Sequence, residues 1–183
     1  MSRIEPVAII IGGSYGAGRE IALALASRGY AVVVCYLRDQ GKAEAAVEQI
    51  VAANGTALTV RADITDELDV ERLFDETTAA FGGVDVVVHT STRGSPIFDQ
   101  VAARQLRRGG AIVNASCSKA IALTVAGELR APDITVNGLA SAPRAPGADL
   151  GIPDFLALLD DWYRRRGSGS EDRWPDQVPR GRG

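Results

Sequence analysis

Val7-Ala8-Ile9-Ile10-Ile11-Gly12-Gly13-Ser14-Tyr15-Gly16-Ala17-Gly18-Arg19-Glu20-Ile21-Ala22 decides the fold. A β-branched apolar run breaks into glycines and then into an alanine-rich helical pattern. That order reads as a buried parallel strand, a tight turn and a helix N-terminus. Gly12 lets the chain leave the strand in a conformation that a Cβ resists. Gly16 admits a pyrophosphate close to the backbone, and Gly18 lets the helix pack closely on the strand. Free N–H groups and the positive dipole end of the helix, at Ser14, Tyr15 and Ala17, suit a phosphate. The spacing is Gly-x-x-x-Gly-x-Gly, not the Gly-x-Gly-x-x-Gly of the general dinucleotide fingerprint. Its place after the first strand, before a helix and a second strand, makes it a nucleotide cradle rather than a plain connecting turn.

Working outward, strands and helices alternate. Gly16–Ser27 is the first helix and Ala31–Cys35 the second strand. Ala43, Ala46, Val47, Ile50 and Val51 recur at helical spacing, so Lys42–Ala53 is an amphipathic helix closed by Asn54-Gly55. Ala57–Val60 is a third strand. Thr65 or Asp66 caps a helix whose Val70, Leu73, Phe74, Thr77 and Phe81 share a face, stopped by Gly82-Gly83. Val84–Val88 is a fourth strand, followed by a short helical piece, Ile97–Arg107, and a break at Gly109-Gly110. Ala111–Ala115 is the fifth strand, Lys119–Leu129 a helix, and Thr135–Leu139 the sixth strand. After a proline-rich loop at Ala142–Pro146, Ile152, Phe155, Leu156, Leu159 and Tyr163 mark a last amphipathic helix. The fold class is therefore α/β: a doubly wound, Rossmann-type parallel sheet in a single three-layer domain, residues 1–163. Residues 164–183 are rich in glycine, serine, proline and arginine, without periodicity, and are expected to form a flexible tail.

Composition narrows the function. A 183-residue chain with 46% hydrophobic residues and a mean hydropathy of +0.02 matches a globular domain. Net charge of −3 gives no basis for nucleic-acid binding. No apolar run approaches the roughly 20 residues that span a bilayer, and Val7–Ile11 is too short for a signal-peptide core. A cytoplasmic location without membrane attachment is the expectation. Cys35 and Cys117 fall on strands that are not neighbours in such a sheet, which argues against a disulfide.

With these motifs in place the chain resembles the short-chain dehydrogenase/reductase family. Gly12–Gly18 matches that family's cofactor loop, and Asp63-Ile64 its adenine-contacting Asp-Val pair. Ile112-Val113-Asn114-Ala115-Ser116 matches the Ile-Val-Asn-Ile-Ser strand. Ser118-Lys119-Ala120 matches the start of the active-site helix, and Ile134-Thr135-Val136-Asn137 the strand that follows. The likeness runs from about Val7 to Gly138. It implies a nicotinamide cofactor, a small-molecule substrate, no metal, and a carbonyl/alcohol redox reaction.

Three departures fall in the half that does chemistry. The family's Asn-Asn-Ala-Gly is here His89-Thr90-Ser91-Thr92. The long helix between the fourth and fifth strands is a stub. The loop leading to the Tyr-x-x-x-Lys motif is missing, and four positions before Lys119 stands Ala115. In the family the tyrosine moves the substrate proton while the lysine lowers its pKa and binds the nicotinamide ribose. The family's catalytic serine falls on Cys117, or on Ser116 if the register shifts. Candidate chemical residues are therefore Lys119, Cys117, Ser116 and His89, the sole histidine. Lys119 and Lys42 are the only lysines, the other 18 basic residues being arginine, which suggests that a compact cation is needed at Lys119.

Cofactor choice is read at the end of the second strand. An acid there would accept from an adenosine 2′-hydroxyl and repel a 2′-phosphate. Tyr36 stands in its place with Arg38 close by, so NADP(H) is expected over NAD(H), unless Asp39 reaches the ribose. The cofactor set is Gly12, Ser14, Tyr15, Gly16, Ala17, Gly18, Tyr36, Arg38, Asp63, Ile64, Thr90 and Lys119. The stub removes one of the helices through which the family dimerises. A monomer, a dimer through another surface, or a pairing with a partner subunit is expected. Three functions remain open: an NADP(H)-linked oxidoreductase with an atypical proton donor, a cofactor-binding pseudoenzyme or partner subunit, and a non-redox cyclase or dehydratase.

Overall fold

A computed structural model describes residues 5–90, 95–114, 135–138, 155–157 and 159. The elements run β1 (Val7–Ile11), α1 (Gly16–Ala26), β2 (Ala31–Tyr36), α2 (Gln40–Ala52), β3 (Thr56–Arg61), α3 (Glu67–Phe81), β4 (Val84–His89), α4 (Pro96–Gln105), β5 (Leu106–Asn114) and β6 (Thr135–Gly138). All six strands pair in parallel, in the order β3-β2-β1-β4-β5-β6. This is the doubly wound sheet expected from the alternating pattern. Every residue of β1 and β4 is buried, because helices cover both faces, and that is why β1 is an unbroken apolar run and β4, apart from Asp85 and the final His89, is apolar rather than alternating.

The core has two layers, one on each face. Ala8, Ile10, Val32, Val34, Val86 and Val88 point toward α1 and α2, where Ile21, Leu25, Ala46 and Ile50 meet them, together with Phe155, Leu156 and Leu159. Ile9, Val33, Val87 and Ile112 point the other way, onto Val70, Leu73 and Phe74 of α3 and Phe98 and Val101 of α4. The aromatic pair Phe74 and Phe98, with ring centroids 6.1 Å apart, joins those two helices. Of the two cap candidates for α3, Asp66 takes the role: its carboxylate accepts from the N–H groups of Leu68 and Asp69. Thr65 instead donates to Asp63.

One element differs from the expectation. β5 begins at Leu106 rather than Ala111, and α4 ends at Gln105 rather than Arg107. Gly109-Gly110 is not a break between elements but lies in a bulge within the strand. Val84 pairs with Leu106 and Val86 with Ala111, so the interval from Val84 to Val86 faces the whole of 106–111. The physical reason is Asp85, whose buried carboxylate accepts from the Val7 N–H at 2.9 Å and from Arg107 Nη1 at 2.8 Å. Arg107 thereby belongs to the strand that a loop-like Arg-Arg-Gly-Gly pattern conceals. β2 and β5 are separated by β1 and β4, and Cys117 lies outside the described residues. Cys35 itself is a buried free thiol.

Candidate functional site

The sheet changes direction between β1 and β4. From β1 the chain winds outward to β2 and β3, and from β4 the other way. Crevices of that kind lie at the carboxyl ends of the strands and bind ligands in open α/β sheets. Ile11 pairs with His89 at that end, so Gly12 and Thr90 are the first residues beyond the sheet on either side. Thr90 closes the seam: its N–H and its Oγ1 both donate to the Ile11 carbonyl, at 3.2 and 2.7 Å.

The glycine turn is built against this seam. Gly12 has φ +78°, and a Cβ on it would stand 2.7 Å from Thr90 Oγ1. A Cβ on Gly18 would collide with the Gly12 carbonyl oxygen and stand 2.9 Å from the same hydroxyl. Gly18 therefore sets how closely α1 approaches the strand end, while Gly16 faces open space at φ +53°. Ser14 is buried in the turn, Ala17 sits in the first helical turn, and Tyr15 at the helix N-cap is 63% exposed.

The cap is informative. Asp66 and Ser95 cap α3 and α4 with side-chain acceptors, whereas neither Tyr15 of α1 nor Asp39 of α2 makes a side-chain cap bond, and no acid stands in the first turn of either. Of these two uncapped ends, α1 is the one that follows the glycine turn. The N–H groups there are left for something other than a side chain.

The adenosine-side candidates lie along β2 and β3. Tyr36 ends β2, pairs with Arg61 and is partly buried. Arg38 is exposed; its carbonyl accepts from the Gln40 N–H at 3.2 Å, and no hydrogen bond or salt bridge among the described residues engages its guanidinium. The Asp39 carboxylate pairs with Lys42 Nζ at 3.3 Å, and the same ammonium lies 5.9 Å from the centre of the Tyr15 ring. Asp63 is held in an Asx turn, its Oδ1 accepting from Thr65 N at 2.9 Å and Oγ1 at 2.6 Å. Those bonds, the hydroxyl's first, hold its carboxyl below the usual range. The Ile64 carbonyl accepts from Ser95 Oγ at 2.5 Å, which ties the β3–α3 loop to the start of α4.

Of the chemical candidates, His89 is buried, its ring 6.0 Å from that of Phe98 on the α4 side of the sheet. Asn114 is buried on the matching rung of β5. Ser116, Cys117 and Lys119 lie outside the described residues, as do Ser91, Thr92, Ile152, Tyr163, the helix expected at 119–129, the loop at 142–146 and the tail at 164–183. Burial pushes the Cys35 thiol up to about 12, so this sulfur is a core atom, not a nucleophile.

Sequence reasoning passed over Asp69 and Arg72. Asp69 Oδ2 accepts from Asp63 N at 2.9 Å, and Arg72 Nη2 donates to the Arg61 carbonyl at 3.0 Å and to Asp69 Oδ1 at 2.7 Å. Their three-residue spacing on α3 puts both on one helix face, the signal that was available, but it reads equally as an ordinary surface pair. Among the described residues there is no cluster of metal-ligating side chains, and no helix is long and apolar enough to cross a membrane.

Comparison with known proteins agrees with this geometry. The family model for short chain dehydrogenase matches residues 6–108. An uncharacterized oxidoreductase of Methylorubrum extorquens is 36% identical over 140 residues, covering 63% of this chain and 56% of that protein. The short-chain dehydrogenase/reductase homolog YusS of Bacillus subtilis is 35% identical over 107 residues, covering 57% of this chain and 98% of its own. A short chain dehydrogenase of Burkholderia cenocepacia, solved in complex with NADP, superposes with a TM-score of 0.59 at 27% identity, over 76% of this chain and 75% of that one. The match thus spans little more than half of the Methylorubrum protein and almost all of the Bacillus one. With the sheet order, the glycine turn and the matched segment in agreement, the chain belongs to the short-chain dehydrogenase/reductase family.

Proposed function

We propose that this protein binds NADP(H) in the crevice between β1 and β4 and acts as a carbonyl/alcohol oxidoreductase with an atypical proton donor. The observation that carries the reading is the start of α1, a helix N-terminus without a side-chain cap, delivered by Gly12 and Gly18 to a seam that admits no Cβ. The glycine turn fits the group: Gly12, Ser14, Tyr15, Gly16, Ala17 and Gly18 would hold the pyrophosphate, Asp63 and Ile64 the adenine, and Thr90 the edge of the crevice, while the family resemblance would give the nicotinamide ribose to Lys119. Preference for the 2′-phosphate rests on Tyr36 in place of an acid, on Arg38 without a salt-bridge partner, and on an Asp39 carboxylate engaged by Lys42. The NADP-bound Burkholderia structure is consistent with that preference.

Bound there, the cofactor supplies the hydride at its nicotinamide carbon. The chain must then supply the proton, and Ala115 stands where the family's tyrosine would be, so it comes from Cys117, His89 or water. Ser116 or Cys117 takes the position that orients the substrate oxygen. Loss of a positioned general acid costs about a hundred- to ten-thousand-fold in rate. NADPH binding should therefore persist while reduction of simple ketones is very slow. Ala115 also favours a second reading, a cofactor-binding pseudoenzyme that works beside an active partner, and a turnover below detection would select it.

Fluorescence titration with NADPH and NADH tests the binding claim. NADPH should bind more tightly, Arg38→Ala should narrow the gap, and Lys119→Ala should weaken both cofactors. Equal affinity for the two cofactors would assign the ribose to Asp39. Brisk turnover on simple ketones would show that another residue has replaced the tyrosine.

A further inference from the structure

Two loops flank the part of the crevice where the adenosine would lie on the nucleotide reading, and both are tied to one face of α3. Tyr36 ends β2, the β2–α2 loop carries Leu37 and Arg38, and the β3–α3 loop carries Asp63 and Ile64. Arg61 stands between them. Its Nε donates to the Leu37 carbonyl at 3.2 Å, while its own carbonyl accepts from Arg72 Nη2 at 3.0 Å. The same Arg72 nitrogen donates to Asp69 Oδ1 at 2.7 Å, and Asp69 Oδ2 accepts from the Asp63 N–H at 2.9 Å. Arg72 Nη1 is anchored in turn by Glu76, one turn along the helix, at 3.0 Å.

We propose that Asp69 and Arg72 are positioning residues for cofactor recognition, holding the two adenosine-facing loops in register with each other through Arg61. The claim rests on the nucleotide reading above and adds to it what fixes the site's specificity. A surface ion pair is worth little as stabilisation, and here both side chains are partly exposed, at 45% and 32%. Two bonds of the network, however, reach the loops themselves: the Asp63 N–H donates to Asp69, and Arg61, whose carbonyl Arg72 holds, donates to the Leu37 carbonyl beside Tyr36 and Arg38. Those positions must be fixed to within a fraction of an ångström for a ribose to be read. Both partners favour the charged forms. The Asp63 N–H and Arg72 hold the Asp69 carboxyl below the usual range, and Asp69 and Glu76 hold Arg72 above its own. The effect runs through Asp63 and, by way of Arg61, through the Leu37–Arg38 peptide.

The test compares the wild-type protein with Arg72→Ala, Asp69→Ala and Asp69→Asn by titration with NADPH, NADH and 2′,5′-ADP. Arg72→Ala should weaken NADPH and 2′,5′-ADP by about five-fold, the worth of one ordinary hydrogen bond in geometry, and should lower the NADPH:NADH preference. Asp69→Ala should weaken all three ligands. Asp69→Asn, whose amide oxygen can still accept from Asp63 N–H, should recover most of that loss. The melting temperature should move by no more than a surface substitution does. Unchanged affinities and an unchanged preference in the variants overturn the proposal. So does a loss that simply tracks melting temperature, with Asp69→Asn as damaging as Asp69→Ala. A wild-type protein that binds neither dinucleotide overturns the nucleotide reading itself, a result distinct from variants that bind like wild type.

Discussion

Gly18→Ala separates crowding at the cradle from the general cost of a helical glycine. Gly18 has an ordinary helical backbone, so alanine there is not strained in itself. On propensity alone the substitution should stabilise α1 by about 1 kcal/mol. Against that, the new Cβ would meet the Gly12 carbonyl, its carbon at 2.8 Å and its oxygen closer still, and Thr90 Oγ1 at 2.9 Å. A backbone carbonyl cannot rotate aside, so the turn must open, and overpacking of this kind costs about 1–3 kcal/mol. The balance is a loss of up to about 2 kcal/mol, a fall of up to ~8 °C in a domain of this size. Gly41→Ala is the matched control: it lies in α2 with nothing within 4 Å of the added carbon, and should gain about 0.4–1 kcal/mol. NADPH affinity should fall more than about ten-fold in Gly18→Ala, because opening the turn moves the N–H groups of α1, and should be untouched in Gly41→Ala. Thermal melts and fluorescence titration of the two variants decide the matter. If Gly18→Ala melts as high as Gly41→Ala and binds NADPH like wild type, the close approach of α1 to the strand end is not what shapes the cradle.

Asp85→Ala removes the buried acceptor shared by Val7 N–H and Arg107, and should cost about 3 kcal/mol, the low end for a broken buried pair because Arg107 is a quarter exposed. Asp85→Asn should cost less, and denaturant unfolding that ranks the two the other way would argue against the ion pair. The buried Cys35 thiol gives the fold a signed pH dependence. Its folded value, about 12, lies above the ordinary 9.0, so its contribution is complete below pH 9 and is lost as pH rises from 9 toward 12. Cys35→Ala should flatten the alkaline fall in melting temperature, and native protein at pH 8 should resist thiol reagents. Rapid labelling of Cys35 without unfolding would contradict its burial.

The parts of the fold legible in the sequence were those whose local pattern and tertiary environment agree. Val7–Ile11 is a continuous apolar run and Val84–Val88 one broken only by Asp85, because helices cover both sides, and their β-branched residues admit little else. Asp66 and Gly82 mark the ends of α3 with the two strongest cap signals a helix has. The first turn of β5 was not legible, since Arg107-Arg108-Gly109-Gly110 carries no strand propensity. It joins the sheet through a partner 22 residues earlier, Asp85, that no local window contains. The site divides the same way. The cradle is a backbone device, written in glycines, and glycines can be read. The support beneath Asp63 and Leu37 is a side-chain network across α3 and two strands, and Arg72 in sequence is just one more charged residue on a solvated face.

That division bears on what losing the family's tyrosine costs. The cradle depends on Ile11, Gly12, Gly18 and Thr90, and every contact that shapes it lies between β1, α1 and the end of β4. Ile9 and Ile10, fully buried on opposite faces, lock that strand into both core layers. A shorter connection after β5 changes chain entropy only slowly with length, so it leaves these contacts in place. Proton transfer has no such tolerance, since an acid must sit within hydrogen-bond reach of the substrate oxygen. On the reading proposed here, the same shortening that places Ala115 four positions before Lys119 removes the proton donor's geometry and leaves the nucleotide's. Affinity and turnover should therefore fail independently: substitutions at Gly18 should abolish the first, and none at Cys117 or His89 should disturb it by more than a few-fold.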